Sequence, residues 1–231
     1  MIATDRFVFL HLHKSGGTFV NDCLLRFVPG ARRIGYHLPR HLIPGELATL
    51  PVLGFVRSPW SYYVSWYSFQ AARPRPNALY RLLSDEGRRD FKGTVHNLLQ
   101  LGSSLELLDR LVEVLPQAYG NRGINLPRFA LAPIRGSGLG FYAYLYHYMF
   151  GTADSALTVG RTESLRQELP RMLESIGQPM SAGMRDFIDY AAPRNVARHA
   201  RYTDFYDDGL RDLVAERDSS IIARHSYQFG D

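Results

Sequence analysis

A short, β-rich apolar run, Phe7 to Leu12 (FVFLHL), breaks at His13-Lys14-Ser15-Gly16-Gly17-Thr18. From Phe19 the apolar residues change to helical spacing, with Phe19, Val20, Cys23, Leu24 and Phe27 on one face. A strand that turns through two glycines directly into a helix restricts the chain to folds in which strands and helices alternate. The same grammar recurs at Val52 to Val56 (VLGFV), a fully apolar strand of the kind buried inside a parallel sheet. There Arg57-Ser58-Pro59 punctuates, with Ser58 placed to cap and Pro59 at the first position of a helix running to about Phe69. Arg33 to His37 reads as a second short strand, Pro44 to Leu50 as a helix, and Ala156 to Val159 as a last strand ending at Gly160-Arg161-Thr162-Glu163. The expectation is an α/β sandwich with a mostly parallel central sheet.

The remainder is helical or aromatic. Leu105, Leu108, Leu111, Val112 and Leu115 form an apolar stripe read as core, and Phe141 to Phe150 is a dense aromatic run. Leu210, Leu213, Val214 and Ile221 suggest one C-terminal helix ending before Tyr227. The chain has 231 residues, 45% of them hydrophobic, enough for one domain spanning 1–231 with a real core. A single cysteine excludes a disulfide framework and a Cys-rich zinc site. No apolar run reaches the ~18 residues of a membrane span, and the run at Phe7 is too short for a signal-peptide core. A soluble, cytoplasmic protein is expected.

Net charge is +5, and of the 27 cations only Lys14 and Lys92 are lysines. Arginine offers a planar fork of donors suited to phosphate and sulfate oxygens. The arginines are dispersed along the chain and form no basic tract, so no nucleic-acid partner is expected.

Two segments carry chemistry. At strand–HKSGGT–helix, a glycine pair lets backbone N–H groups converge on an anion at the positive end of a helix. Lys14 adds a mobile cation and Thr18 a hydroxyl; the alternative is a plain glycine turn with a solvated lysine. The lysine precedes the glycines, so this is not the GxxxxGK[ST] of an ATPase. At strand–Arg57-Ser58-Pro59–helix, an arginine stands where a nucleotide hydrolase of similar topology would hold an aspartate for Mg²⁺. Arg57 suits a second phosphate, or else a helix-start ion pair. Ser65 follows eight residues later, two helical turns along. No metal is expected.

With both segments in view, the chain resembles the PAPS-dependent sulfotransferases. FVFLHLHKSGGTF looks like their 5′-phosphosulfate loop, and GFVRSPWSYYVSWY like their 3′-phosphate segment, including the Arg-to-Ser spacing of eight. LTVGRTESLRQEL and the C-terminal stretch from Tyr202 to Phe229 are similar to the closing elements of the glycan and bacterial branch. The resemblance covers about a third of the chain. It implies a three-layer, P-loop NTPase-like sandwich and a co-substrate, 3′-phosphoadenosine 5′-phosphosulfate, whose sulfuryl group passes in line to a hydroxyl or amine. By the same resemblance Lys14 would stabilise the leaving phosphate, and Ser15, Gly16, Gly17, Thr18 and Phe19 would hold the 5′-phosphate. Arg57 and Ser65 would hold the 3′-phosphate, and Arg161 or Thr162 would meet the adenine; Arg198 and Arg201, in a loop before the last helix, either close over the 3′-phosphate or are solvated surface.

The general base should titrate near working pH, which favours histidine. His37, at the end of the possible second strand and on the edge shared by both phosphate segments, is the candidate, against the alternative that it caps a turn. His41, His11, His13, Glu46 and Asp90 stand behind it. The acceptor is expected to be a carbohydrate or small hydroxylated metabolite. Two other classes remain open: an ATP/Mg²⁺-dependent kinase of the same fold, and a non-catalytic nucleotide-binding protein.

Overall fold

The computed structural model describes residues 1–120, 124–152, 154–193 and 200–231. The protein is α/β. Its strands are β1 (Ile2–Ala3), β2 (Val8–Leu10), β3 (Arg32–Arg33), β4 (Val52–Val56) and β5 (Leu157–Arg161). Among the described residues the α-helices are α1 (Gly17–Phe27), α2 (Pro59–Ala71), α3 (Ala78–Leu83), α4 (Phe91–Leu99), α5 (Leu105–Val114), α6 (Arg128–Leu131), α7 (Phe141–Phe150), α8 (Leu165–Ser175), α9 (Ala182–Tyr190), α10 (Asp208–Arg217) and α11 (Ser219–His225). None of the described helices is long and apolar enough to cross a membrane. The chain divides into two compact units: Met1–Arg57 with His147–Val196, and Ser58–Tyr146 with Ala197–Asp231.

The first unit holds the sheet, in the order β3-β1-β2-β4-β5. The strands β2, β4 and β5 are parallel neighbours, whereas β1 is antiparallel to both β2 and β3. The sheet is therefore mixed: the expected parallel pairing holds for the three longer strands and fails at the β1 side. The reason lies in Ile2–Ala3, a two-residue strand too short to show any periodicity in the sequence. Because β3 is antiparallel to β1, and β1 to β2, β3 runs in the same direction as β2. All four same-direction strands thus deliver their carboxyl ends to one edge.

Strand side chains alternate between faces. Phe9 of β2 and Leu53 and Phe55 of β4 join Val20, Cys23 and Leu24 of α1, Leu169 and Leu173 of α8, and Met184 and Ile188 of α9 in one buried core. Gly54, on the opposite face of β4, lies against Phe150, whose Cε1 would be 2.3 Å from any added Cβ. Strand β3 covers only Arg32–Arg33, stopping four residues short of His37; the Ile34 N–H and the Gly35 carbonyl still bond to Met1 at 3.1 and 2.7 Å, and there β1, which starts at Ile2, offers no further partner. The segment expected to be helical from Pro44 to Leu50 forms one 3₁₀ turn, Gly45–Leu47, between Pro44 and Pro51.

The second unit contains helices and no strand among its described residues. Ser58 takes the N-cap position of α2 with Pro59 following it, but its side chain makes no capping hydrogen bond. Leu108, Leu111 and Leu115 of the apolar stripe are buried, whereas Leu105, at the exposed start of α5, is 54% accessible. The single C-terminal helix expected from the sequence is two, α10 and α11, interrupted at Asp218. The break has a cause: the Asp218 carboxylate is turned inward, accepting hydrogen bonds from the Tyr63 hydroxyl at 2.7 Å and the Ala143 N–H at 2.8 Å.

Candidate functional site

The carboxyl ends of β2, β4 and β5 bring three segments together in the first unit. After Leu10 the chain passes through His11 to Gly16 and enters α1 at Gly17. Lys14 and Gly16 both have left-handed backbones, φ +59° and +73°, and Ser15 between them does not. Such alternation turns successive N–H groups toward one side, the geometry of an anion-binding concavity. The Gly16 carbonyl accepts from the Phe19 and Val20 N–H groups, and the first turn of α1 has neither an acidic residue nor a side-chain cap. The positive end of the helix is therefore unneutralised by its own side chains.

Both glycines are required by their surroundings. A Cβ on Gly16 would stand 2.6 Å from Leu165 Cδ1 and 3.3 Å from Thr162 Cγ2, on a left-handed backbone. A Cβ on Gly17 would stand 1.9 Å from His11 Cδ2. The loop after β2 is thus packed on the residues that follow β5, and on the histidine that follows its own strand.

Arg57 follows β4 directly. Its Nη1 donates to the Lys14 carbonyl at 3.3 Å. Burial, and then the positive charge of Arg57, lower Lys14 to a pKa of about 8. Ser15 is buried, and its hydroxyl donates to the His13 carbonyl at 3.2 Å. Phe19 contributes its ring to the core, against Phe187 and under the Arg166 guanidinium. At the end of β5 the Arg161 N–H donates to Glu168 Oε2 at 3.0 Å, and the Ser164 hydroxyl donates to the other Glu168 oxygen at 2.7 Å. Thr162 Oγ1 is buried and has no hydrogen-bond partner in the structure.

His37 reaches the same edge from β3. It is buried with a left-handed backbone, φ +50°. Its ring stacks on His13 at 3.8 Å between centroids and tilts against His11 at 4.2 Å, with Tyr36 edge-on at 4.2 Å. Burial first, and then His13, hold His37 well below the ordinary histidine range, so the ring is neutral and able to accept a proton at physiological pH but, against the expectation from the sequence, does not titrate near working pH. Burial likewise brings His11 to about 3. Three histidines lie together here, yet among the described residues no group of three or more His, Cys, Asp or Glu is arranged to hold a metal ion.

The other candidates lie apart from this cluster or serve elsewhere. His41 is exposed, edge-on to Tyr148, and Glu46 is exposed in the Gly45–Leu47 turn. Arg40, beside His41, makes a two-pronged ion pair with Asp154, its Nη2 lying 2.8 Å from Oδ2 and 3.0 Å from Oδ1. Asp90 is the N-cap of α4, accepting from the Gly93 N–H at 2.9 Å. Ser65 is buried in α2 of the second unit, Arg201 is exposed there, and Arg198 lies outside the described residues. One residue of the cluster escaped the sequence reading: Asn21, buried in α1, whose Nδ2 lies 3.2 Å from His11 Nδ1. Its signal was its place four residues after Gly17, which puts both on the helix face that meets His11.

No protein-family model matches the chain, and no curated protein gives a significant match.

Proposed function

We propose that the protein is a sulfotransferase with a three-layer, P-loop-like fold, using 3′-phosphoadenosine 5′-phosphosulfate as donor. The observation that carries this reading is the cation pair at the ends of adjacent parallel strands, Lys14 and Arg57, held together by the Arg57 hydrogen bond to the Lys14 carbonyl. Two like charges kept side by side in a half-buried place repel each other, and an anion between them relieves that cost. Crevices at strand carboxyl ends are where open α/β sheets take ligands.

The residues present fit such a donor. The left-handed turn at Lys14 and Gly16, the uncapped start of α1 and the orphaned Thr162 hydroxyl are all features that a phosphate-bearing nucleotide would complete. Gly16, Gly17 and Thr18 would offer N–H groups to the 5′-phosphate, Arg57 would take the 3′-phosphate, and Thr162 or Arg161 would meet the base. The donor would supply a sulfuryl group, passing to the acceptor oxygen or nitrogen as its bond to the 5′-phosphate breaks. Lys14 stabilises the charge left on that phosphate, and His37 receives the acceptor's proton. This is catalysis by positioning and electrostatics. The acceptor is a hydroxyl, or an amine, of a carbohydrate or small metabolite.

Isothermal titration with adenosine 3′,5′-bisphosphate, ADP and ATP, with and without Mg²⁺, tests the reading. Metal-independent preference for the 3′-phosphorylated ligand is expected. Preference for ATP with Mg²⁺ would replace the sulfotransferase with a kinase, and no binding at all would remove the donor site.

A further inference from the structure

The chemistry of a neutral histidine depends on which ring nitrogen carries the proton, and here the neighbours decide it. His37 Nδ1 lies 2.6 Å from the main-chain carbonyl oxygen of His11. A carbonyl has no proton to give, so Nδ1 must be the donor, and the lone pair of the neutral ring is left on Nε2. The left-handed backbone of His37, φ +50°, is a conformation that non-glycine residues seldom adopt and that persists where the surroundings over-determine it.

The carbonyl that holds His37 is itself held. The His11 ring is 5% exposed and fills the space where Gly17 has no side chain, with any Cβ there falling 1.9 Å from its Cδ2. Asn21, one helical turn further along α1, presents Nδ2 at 3.2 Å from His11 Nδ1. An amide nitrogen donates, which leaves His11 Nδ1 as acceptor. The ring of His11 is therefore clamped by two positions of one helix face, and its backbone, at the end of β2, is clamped with it.

We propose that His11 is a positioning residue: its ring, fixed between Gly17 and Asn21, holds its carbonyl where it locks His37 as the Nδ1–H tautomer, with Nε2 as the basic atom. The inference rests on the reading of His37 as the proton acceptor. It ties the helix that would bind the donor phosphate to the tautomer of the group that would deprotonate the acceptor.

Long-range proton–nitrogen correlation spectra of the full chain carrying isotope-labelled histidine read the tautomer directly, with no donor or acceptor present. In the unsubstituted protein His37 should show a protonated Nδ1 and an unprotonated Nε2. In Asn21→Leu, which removes the amide at similar volume, the single tautomer should give way to a mixture. An Nε2–H tautomer, or a mixture, in the unsubstituted protein overturns the proposal whether or not the variant folds. A tautomer unchanged in a folded Asn21→Leu also overturns it, since the His11 clamp would then be irrelevant. A locked tautomer lost in Asn21→Leu, in a protein that fails to bind adenosine 3′,5′-bisphosphate, would leave the positioning relationship standing and remove the donor assignment.

Discussion

Arg57 Nη1 and the Lys14 carbonyl oxygen are 3.3 Å apart, so the guanidinium that ends β4 also braces the loop that follows β2. The arrangement keeps two cations adjacent, and burial, with the Arg57 charge second to it, brings Lys14 to about 8. The sign follows directly. The ammonium is present below about pH 8 and is lost as pH rises through it, well before a solvated lysine would titrate. Affinity for adenosine 3′,5′-bisphosphate, whose phosphates are fully ionised above about pH 7, should therefore fall as pH rises through about 8. Lys14→Arg, whose charge persists, should abolish that fall. Calorimetric titration across this range decides it, and affinity in the unsubstituted protein that is level well above pH 8 would show that Lys14 does not bind the anion.

Arg57→Ala separates the two phosphates. A hydrogen bond to a charged group is worth about 1.5–3 kcal/mol, so binding of 3′-phosphorylated nucleotides should weaken by roughly 10- to 100-fold. ADP, which lacks that phosphate, should be nearly unaffected. The pH at which Lys14 titrates should rise in the same variant, because a repelling charge is gone. Equal losses for both ligands would mean that the bond from Arg57 to the Lys14 carbonyl merely shapes the loop.

Lys14→Ala removes the charge proposed to meet the departing phosphate. Turnover should fall by orders of magnitude, while the product nucleotide still binds through Arg57 and the backbone of the turn. Undiminished sulfuryl transfer in Lys14→Ala, measured with labelled donor, would end the assignment of this residue.

Local signals are legible in the sequence alone. The glycine turn, the strand-end arginine and the face of α1 formed by Val20, Cys23 and Leu24 all follow from neighbours in sequence, and the structure has the elements there. The β1 strand was not legible, because two residues carry no period and its pairing with Val8 and Phe9 depends on a turn at Thr4, whose hydroxyl bonds the Phe7 carbonyl and N–H. The break at Asp218 was hidden for a different reason. The apolar spacing from Leu210 to Ile221 is consistent with one helix, and only contacts with Tyr63 and Ala143, 155 and 75 residues away, turn the carboxylate inward. In the site, His37 was visible by type and position, whereas its clamp through His11, Gly17 and Asn21 is a packing relationship with no sequence signature beyond the one-turn spacing on α1.

Gly17→Ala tests that packing without touching a polar group. The added methyl meets the His11 ring, which is buried and cannot yield without disturbing the bond from Asn21. Overpacking of this kind costs about 1–3 kcal/mol, or roughly 2–12 °C of melting temperature for a chain of this size. The nitrogen resonances of His11 and His37 should shift together. An unchanged melting temperature with unmoved histidine resonances would show that the ring has room the structure does not give it.

Asp218 sets the pH dependence of the second unit's stability. Burial raises its carboxyl from 3.8 to about 7, against the opposing effect of the hydrogen bonds from Tyr63 and Ala143. A carboxyl whose folded pKa is raised stabilises the fold fully below its unfolded pKa and loses that contribution as pH rises through the folded value. Between about pH 4 and pH 7 the loss is on the order of 4 kcal/mol. Asp218→Asn keeps an acceptor for the Ala143 N–H and removes the charge. Urea unfolding at about pH 5 and about pH 8 should show the unsubstituted protein weakening across the interval relative to the variant. The exposed carboxylates paired with arginine or lysine, such as Asp85, Asp154 and Asp207, are held below 3.8 and so do not titrate in this window. A difference between the two proteins that is the same at both pH values would mean that Asp218 keeps one charge state throughout, and that its hydrogen bonds outweigh its burial.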